Sequence, residues 1–474
     1  MPLVWTLAAT LTGCTSVSPK ISPLPPAPVP AEWFSPAPDL SSPPTAATLA
    51  AWWQGFNDLQ LTALVIRALQ ANTDIRTAQA ALQQARALRD VRLAGLEPTL
   101  GTSASVQRSK SGGSEAVNSF QGGFDASWEP DVFGGNRSAL HATEADVQAA
   151  VASLGNVQVS LAAEVAVTYI QLRGLQAQLA IARSNLAAQA ETLQITRWRA
   201  QAGLASSLDV EQGIAASEQT SAQIPSLQTS VAQAASSLAV LTGQAPGVLR
   251  AELAAAAPVP QAASSLTLAI PAETLRQRPD VRAAEQRISA ALARVTQADA
   301  ARYPTFQISG SLGLRALTLG TLTGGASVAN ALLASVTVPL LDGGAARAQV
   351  RAQEAGLEQA RVSYQATVLT ALKDVEDALA SLQGNRERLT RLQAAADAAA
   401  NADLLARQRY ASGLIDFRAV LETQRTLLST QDGVEATRAS LSADHVRLYK
   451  ALGGGWTTDL APLAALQSVS TAAP

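Results

Sequence analysis

The sequence predicts a mostly helical chain with a minority of membrane-type β-strands, built from one unit used twice. Three observations carry this. Matching residues recur at a nearly fixed spacing: Asp74-Ile75-Arg76 with Asp280-Val281-Arg282 and Pro98-Thr99 with Pro304-Thr305 at an offset of 206, then Gly174 with Gly384 and Gly203 with Gly413 at 210. In each half, a stretch switches from helical periodicity to strict alternation. No proline interrupts the chain between Pro130 and Pro225, or between Pro339 and Pro462, which leaves room for very long helices.

The 474 residues are rich in alanine and contain only 4% aromatics, too few for several separate globular cores. Small residues suit long helices that pack closely, and alanine has the best helix propensity. A net charge of −2 gives no reason to expect nucleic acid. One cysteine and two histidines exclude an internal disulfide and a metal site of several Cys and His ligands. No nucleophile, base and orienter set is evident, nor a phosphate-binding loop, so neither an enzyme nor a cofactor is expected.

The apolar run Leu3 to Leu11 leads into Leu11-Thr12-Gly13-Cys14. This resembles the lipobox of bacterial lipoproteins, in which residues 1–13 would be a signal peptide and Cys14 would carry the lipid. Thr15, where an Asp would retain an enteric lipoprotein at the inner membrane, resembles outer-membrane sorting. Residues 14–48, with Pro25-Pro26 and Pro43-Pro44, read as an extended tether.

The first repeat is expected over 49–243, a proline-rich linker over 244–270, the second repeat over 271–456, and a disordered tail over 457–474. Within a repeat the order is helix, two strands, very long helix, turn, helix. The first helices are expected over about 57–95 and 280–302, each ending before a proline, Pro98 or Pro304. In 304–315, Phe306, Ile308, Leu312 and Leu314 alternate with Thr305, Gln307, Ser309 and Ser311; residues 326–340 do likewise. The first repeat has Leu100, Thr102, Ala104 and Val106, then Phe120, Phe124 and Trp128. Such strands suit a membrane barrel with one face in lipid and the other in water. The uncharged stretch Ala316–Leu341 also invites a transmembrane helix, but Gly320, Gly324, Gly325, Asn330 and Pro339 oppose it. A soluble sandwich would need more than four strands. Trp128, Phe124 and Tyr303 are candidates for an aromatic belt, or for burial against a neighbouring subunit.

Asn136 to Ala202 is 67 residues, roughly 100 Å as a helix. Ala345 to Ser412 is about as long. A helix of that length projects from any compact body. Gly203 and Gly413 end these helices, and return helices follow over about 208–242 and 417–452. Four strands cannot close a barrel, since filled barrels need about eight. Open edges in lipid would leave backbone groups unpaired. Two or more chains must therefore combine.

Five stretches resemble one known family: Trp52-Trp53-Gln54-Gly55-Phe56, Phe124 through Gly134, Arg278-Pro279-Asp280-Val281-Arg282, Pro339-Leu340-Leu341-Asp342-Gly343-Gly344, and Leu448-Tyr449-Lys450-Ala451-Leu452-Gly453-Gly454-Gly455-Trp456. The chain resembles the outer-membrane factors of tripartite efflux systems, the TolC and OprM group, and within it the NodT-type lipoproteins. The resemblance implies a homotrimer: a twelve-stranded barrel in the outer membrane, four strands per chain, on a long periplasmic helical barrel. It implies a passive duct for drugs and other small molecules. The partners would be a periplasmic adaptor and an inner-membrane transporter of the RND type.

The family closes its tunnel at the hairpin tips, with an acidic residue nine positions after the second tip glycine. Here that residue is Glu422, with Arg425 three further on. TolC's additional aspartate is replaced by Ala419, and Arg418 stands where OprM-like proteins carry an apolar gate residue. Asp416 and Tyr410 flank the same tip as candidates to join its hydrogen bonds. The alternative for Glu422 and Arg425 is an ordinary surface pair at i,i+3. Gly203-Leu204 and Gly413-Leu414 resemble adaptor-docking turns; simple helix termination is the alternative. A trimeric stalk or a periplasmic adaptor are the rival functions, but neither needs strand pairs in both halves.

Overall fold

The computed structural model describes residues 29–30, 33–34, 49–262, 275 and 277–456. Cys14, most of the tether and the tail therefore lie outside the described residues. The elements are a 3₁₀ turn Trp52–Phe56, helices α1 (Leu59–Ala71) and α2 (Thr73–Ala94), and strands β1 (Thr99–Ser109) and β2 (Val117–Trp128). Helices α3 (Gly135–Gln201), α4 (Ser207–Leu241) and α5 (Pro279–Ala300) follow, then β3 (Thr305–Ala316), β4 (Val328–Thr337), α6 (Ala345–Ala411) and α7 (Phe417–Ala451). The chain divides into two units. One is Ala80–Ala152 with Arg282–Thr367; the other is the described part of Pro28–Gln79, Ser153–Val281 and Val368–Pro474.

The first unit holds one antiparallel sheet in the order β1-β2-β3-β4. The strand pair of each repeat thus meets the other across β2 and β3. The register aligns the alternation of all four strands. Leu100, Ala126, Gly310 and Leu332 form one row, and Thr102, Phe124, Leu312 and Asn330 the next; Trp128, Ile308 and Ala334 share the face. The opposite face carries Ser103, Gly123, Gly313 and Ala329, then Gly101, Asp125, Ser311 and Ala331. One face is therefore mainly apolar, interrupted at the rims by Thr102 and Asn330, and the other carries mostly small and polar residues with Leu333 as an exception, a pattern that suits membrane strands. The large apolar side chains are bare: Leu332 is 82% exposed and Phe124 57%.

At the centre of the polar face, Gly123 opposes Gly313 so closely that a Cβ on Gly123 would lie 2.6 Å from the Gly313 Cα. The two halves meet where neither has a side chain. The stretch considered for a transmembrane helix is instead the end of β3, two short 3₁₀ turns and β4. In the same unit, Ile288, Ala291 and Val295 of α5 pack on Leu357 of α6, and Arg294 reaches Asp146 of α3 at 2.5 Å.

The three candidates for an aromatic belt fall in different places. Trp128 ends β2 and donates from Nε1 to the Leu96 carbonyl at 3.0 Å. Tyr303 stacks on Phe133 with centroids 5.0 Å apart, and Phe133 on Phe306 at 6.4 Å. Phe124 lies a full four residues up β2, level with Leu312, and so sits within the apolar face rather than at its end.

The helix expected over 57–95 is two helices. Asn72 breaks it at φ −62°, ψ 141°. Its Oδ1 accepts from the Asp74 N–H at 2.7 Å, capping α2, while its Nδ2 donates to the Leu241 carbonyl at 2.9 Å. An amide that serves both a new helix start and a distant carbonyl outweighs one continued helical turn. Asp58 caps α1 at the Leu61 N–H.

The described part of the proline-rich segment after α4, residues 244–262, is held by side-chain bonds. Glu252 forms a bidentate pair with Arg67 at 2.9 and 3.0 Å, which holds its carboxyl below the usual range. Buried Arg173 donates to the Ala255 carbonyl at 2.6 Å, and Gln176 to the Leu253 carbonyl at 2.7 Å.

Three of the sequence motifs converge in the second unit. Trp52 stacks on Tyr449 at 5.2 Å, and the Gly455 N–H donates to the Leu49 carbonyl at 2.9 Å. Arg278 bridges Asp280 and Asp374 at 2.7 and 3.1 Å and donates to the Ala451 carbonyl at 2.9 Å. Trp456 donates to the Gln277 carbonyl at 3.1 Å and lies over Gly155, where a Cβ would come within 2.6 Å of the indole. Gly155→Val is therefore expected to destabilise the fold by about 1–3 kcal/mol through overpacking. Thermal denaturation checks this, with Trp456 fluorescence moving to a more solvated signal.

Candidate functional site

Two hairpin tips repeat one design. Gly203 and Gly413 take φ +73° and +74°, conformations that side chains with a Cβ rarely adopt. In each, the next N–H closes the helix: Leu204 donates to the Arg199 carbonyl at 2.7 Å and Leu414 to the Arg409 carbonyl at 2.9 Å. Ser206 and Asp416 then cap the return helices, through the Asp209 N–H at 3.1 Å and the Ala419 N–H at 3.0 Å. Leu204 and Leu414 project into solvent, 71% and 74% exposed.

Tyr410 is buried at 5% exposure, not on the surface of the tip. Its hydroxyl hydrogen-bonds Thr196 Oγ1 at 3.2 Å, and its ring packs on Phe417 at 5.5 Å. The Arg199 guanidinium lies over the ring, 4.5 Å from its centroid, and donates to the Tyr410 carbonyl. One turn further in, Gln424 donates to Thr192 Oγ1 at 3.1 Å, and about three turns in, Asn185 donates to Gln431 at 2.9 Å. These contacts tie the first hairpin to the second. Around them, Ala216, Ala406, Val420 and Leu421 form an apolar cluster with Tyr410 and Phe417.

Arg418, Glu422 and Arg425 are all exposed on α7. Their spacing of i, i+4 and i+7 puts them on one stripe. Among the described residues no ion pair joins Glu422 to Arg425, so within one chain the surface-pair reading finds no bond. Asp416 acts as a helix cap. The structure thus gathers Tyr410 with partners that sequence reasoning missed, Arg199 and Thr196. The recurrence of Arg199 as Arg409 at an offset of 210 was the available sign, but repetition alone does not say which copy is used.

Asp403 was also unforeseen. It is 2% exposed, pairs with Arg407 at 2.8 Å through Oδ2, and its Oδ1 has no partner. Burial pushes its carboxyl above the usual range against the opposing pull of Arg407.

Membrane-type strands with open rims, carried with paired helical hairpins, define a subunit of an outer-membrane channel. The profile of the family described as outer membrane efflux protein matches residues 64–244 and 270–454. The chain belongs to that family. It is 32% identical over 435 residues to a pyoverdine export outer membrane protein, OpmQ, of Pseudomonas aeruginosa, covering 88% of this chain and 90% of that one. It is 31% identical to a toluene efflux pump outer membrane protein, TtgF, of Pseudomonas putida, covering 85% of each. Among solved structures, the outer-membrane channel OprN superposes with a TM-score of 0.82 at 35% identity, covering 88% of this chain and 99% of that one. The helical fold with a membrane sheet, the outer-membrane setting and the channel role expected from sequence are those of this family.

Removing the tyrosine hydroxyl in Tyr410→Phe is expected to cost about 0.5–1.5 kcal/mol. Arg199→Ala is expected to cost more and to widen the spacing of spin labels on the two tips. For Asp403, the folded carboxyl titrates above its unfolded value. Its contribution is fully present below the unfolded value and is lost as the pH rises through the folded one. Asp403→Asn is expected to remove that fall, measured as thermal midpoint against pH.

Proposed function

We propose that three copies of this chain form a passive outer-membrane exit duct for small toxic molecules, delivered by an inner-membrane transporter of the RND type through a periplasmic adaptor. The observation that carries this is the sheet: one mainly apolar, exposed face, with β1 and β4 each paired on one side only. In lipid each unpaired backbone group costs several kcal/mol. Copies of the same sheet cover those rims, and three give twelve strands. The polar face then lines the lumen.

In this reading α3, α4, α6 and α7 of each chain form the periplasmic tunnel, and the tips close it. Tyr410, Arg199 and Thr196 hold the two hairpins together inside one chain. The exposed stripe of Arg418, Glu422 and Arg425 faces neighbouring copies or the pore. Three such stripes in a narrow opening bring carboxylates and guanidinia of different chains into reach, which holds the gate shut and selects by charge. Exposed Leu204 and Leu414 suit docking by an adaptor. Acyl chains on Cys14 would anchor the duct to the inner leaflet; several chains on one residue give stable attachment.

Reconstituted protein is expected to conduct in planar bilayers. Changing Glu422→Ala and Arg425→Ala together is expected to raise single-channel conductance severalfold, whereas unchanged conductance returns the stripe to the role of a solvated face. Cys14→Ser is expected to abolish incorporation of labelled palmitate; a labelled variant would place the anchor elsewhere.

A further inference from the structure

We propose that the helix-proximal end of the sheet carries a docking niche for a zwitterionic phospholipid with a primary amine, Glu129 taking the ammonium and Arg137 the phosphate. The inference rests on the membrane reading given above and lies wholly within the first unit. A hollow of about 190 Å³ opens where β2 passes into α3, lined among others by Glu129, Asp131, Phe133, Asn136, Gln297 and Pro304.

One wall of the hollow is aromatic. Phe133 stacks between Tyr303 and Phe306 and remains 36% exposed. Phe306 pairs with Val336 on the apolar face of the sheet, so the lipid-facing surface runs without a break into this wall. Aromatic rings at the end of an apolar band mark the headgroup level of a bilayer. The acyl chains would lie along Ile308, Leu312 and their row neighbours.

Glu129 lines the hollow, and Arg137 stands beside it, bonded to the lining residue Asp131; together their charges fit one headgroup class. Glu129 is exposed and, among the described residues, forms no ion pair. Asp131 is committed: it accepts from the Asn136 and Arg137 N–H groups at 3.2 and 2.8 Å, capping α3. Arg137 is tethered beside it, Nε to Asp131 Oδ2 at 3.2 Å and Nη2 to the Asp131 carbonyl at 2.9 Å. Its side chain is still 60% exposed, so donors remain for a phosphate. A free carboxylate and a positioned guanidinium match a headgroup bearing one ammonium and one phosphate. An anionic headgroup without an amine meets repulsion at Glu129. A quaternary amine offers the carboxylate no N–H to donate.

The test compares lipids retained by the delipidated full-length protein from mixed phosphatidylethanolamine, phosphatidylcholine and phosphatidylglycerol nanodiscs, read by native mass spectrometry. Phosphatidylethanolamine is expected to be preferred, and Glu129→Gln to cut that preference about tenfold while leaving conductance unchanged. Arg137→Gln is expected to weaken all three lipids together. Equal retention of the three by the unaltered protein would overturn the niche, as would a preference that survives Glu129→Gln. Tightest retention of phosphatidylcholine would assign the headgroup contact to the aromatic wall alone and also overturn it. Protein that enters no bilayer would remove the membrane reading itself, a result distinct from insertion without lipid preference.

Discussion

The constraint on which the rest depends is the alignment of alternation across four strands. A one-residue slip in any of the three pairings would turn a whole strand's apolar side chains to the polar face. The register avoids this both within each repeat and across the junction at β2 and β3, where Gly123 and Gly313 let the backbones approach. Duplication explains how such a sheet arises: two copies of one strand pair already share the same alternation. What duplication leaves unsolved is the pair of outer rims, and these make the single chain incomplete in lipid.

Much of this was legible in the sequence because its punctuation is local. Proline stops the first helices, glycine ends the long ones, and period two identifies the strands, so observed boundaries fall close to those expected. The break at Asn72 was not legible. A single polar residue in a periodic helix reads as a solvent-facing position, and its decisive bond is to Leu241, far away in sequence. The site divides in the same way. The tip turns and the Asp416 cap follow from residue type, but the burial of Tyr410 depends on a partner 214 residues away. Asp403 gave no sign at all, because an aspartate followed by Arg407 one turn later looks like any surface pair.

The two repeats have kept their backbones and diverged in their side chains. At an offset of 210 the tips superimpose glycine on glycine, leucine on leucine and cap on cap. Yet Leu208 corresponds to Arg418, Gln212 to Glu422, and Ala215 to Arg425. On this stripe the charge lies on the second return helix only. Trp198, 60% exposed, corresponds to Gln408 on the other hairpin. The geometry common to both hairpins is what the helix-ending rules demand, while the side chains differ both on this exposed stripe and in the core, where Tyr410 and Phe417 correspond to Ala200 and Ser207.

The meeting of Trp52, Gly155, Gln277 and Trp456 has a consequence for biosynthesis. Residues far apart in the sequence all contribute to one packing centre. The Trp456 indole that closes it is the last of these four to be translated. A nascent polypeptide therefore leaves the ribosome with that centre unfilled, which suits a protein that must cross a membrane before it folds. By the same logic, a premature stop only slightly upstream of Trp456 would leave both repeats nearly whole yet deprive Gly155 and Gln277 of the indole that fastens them.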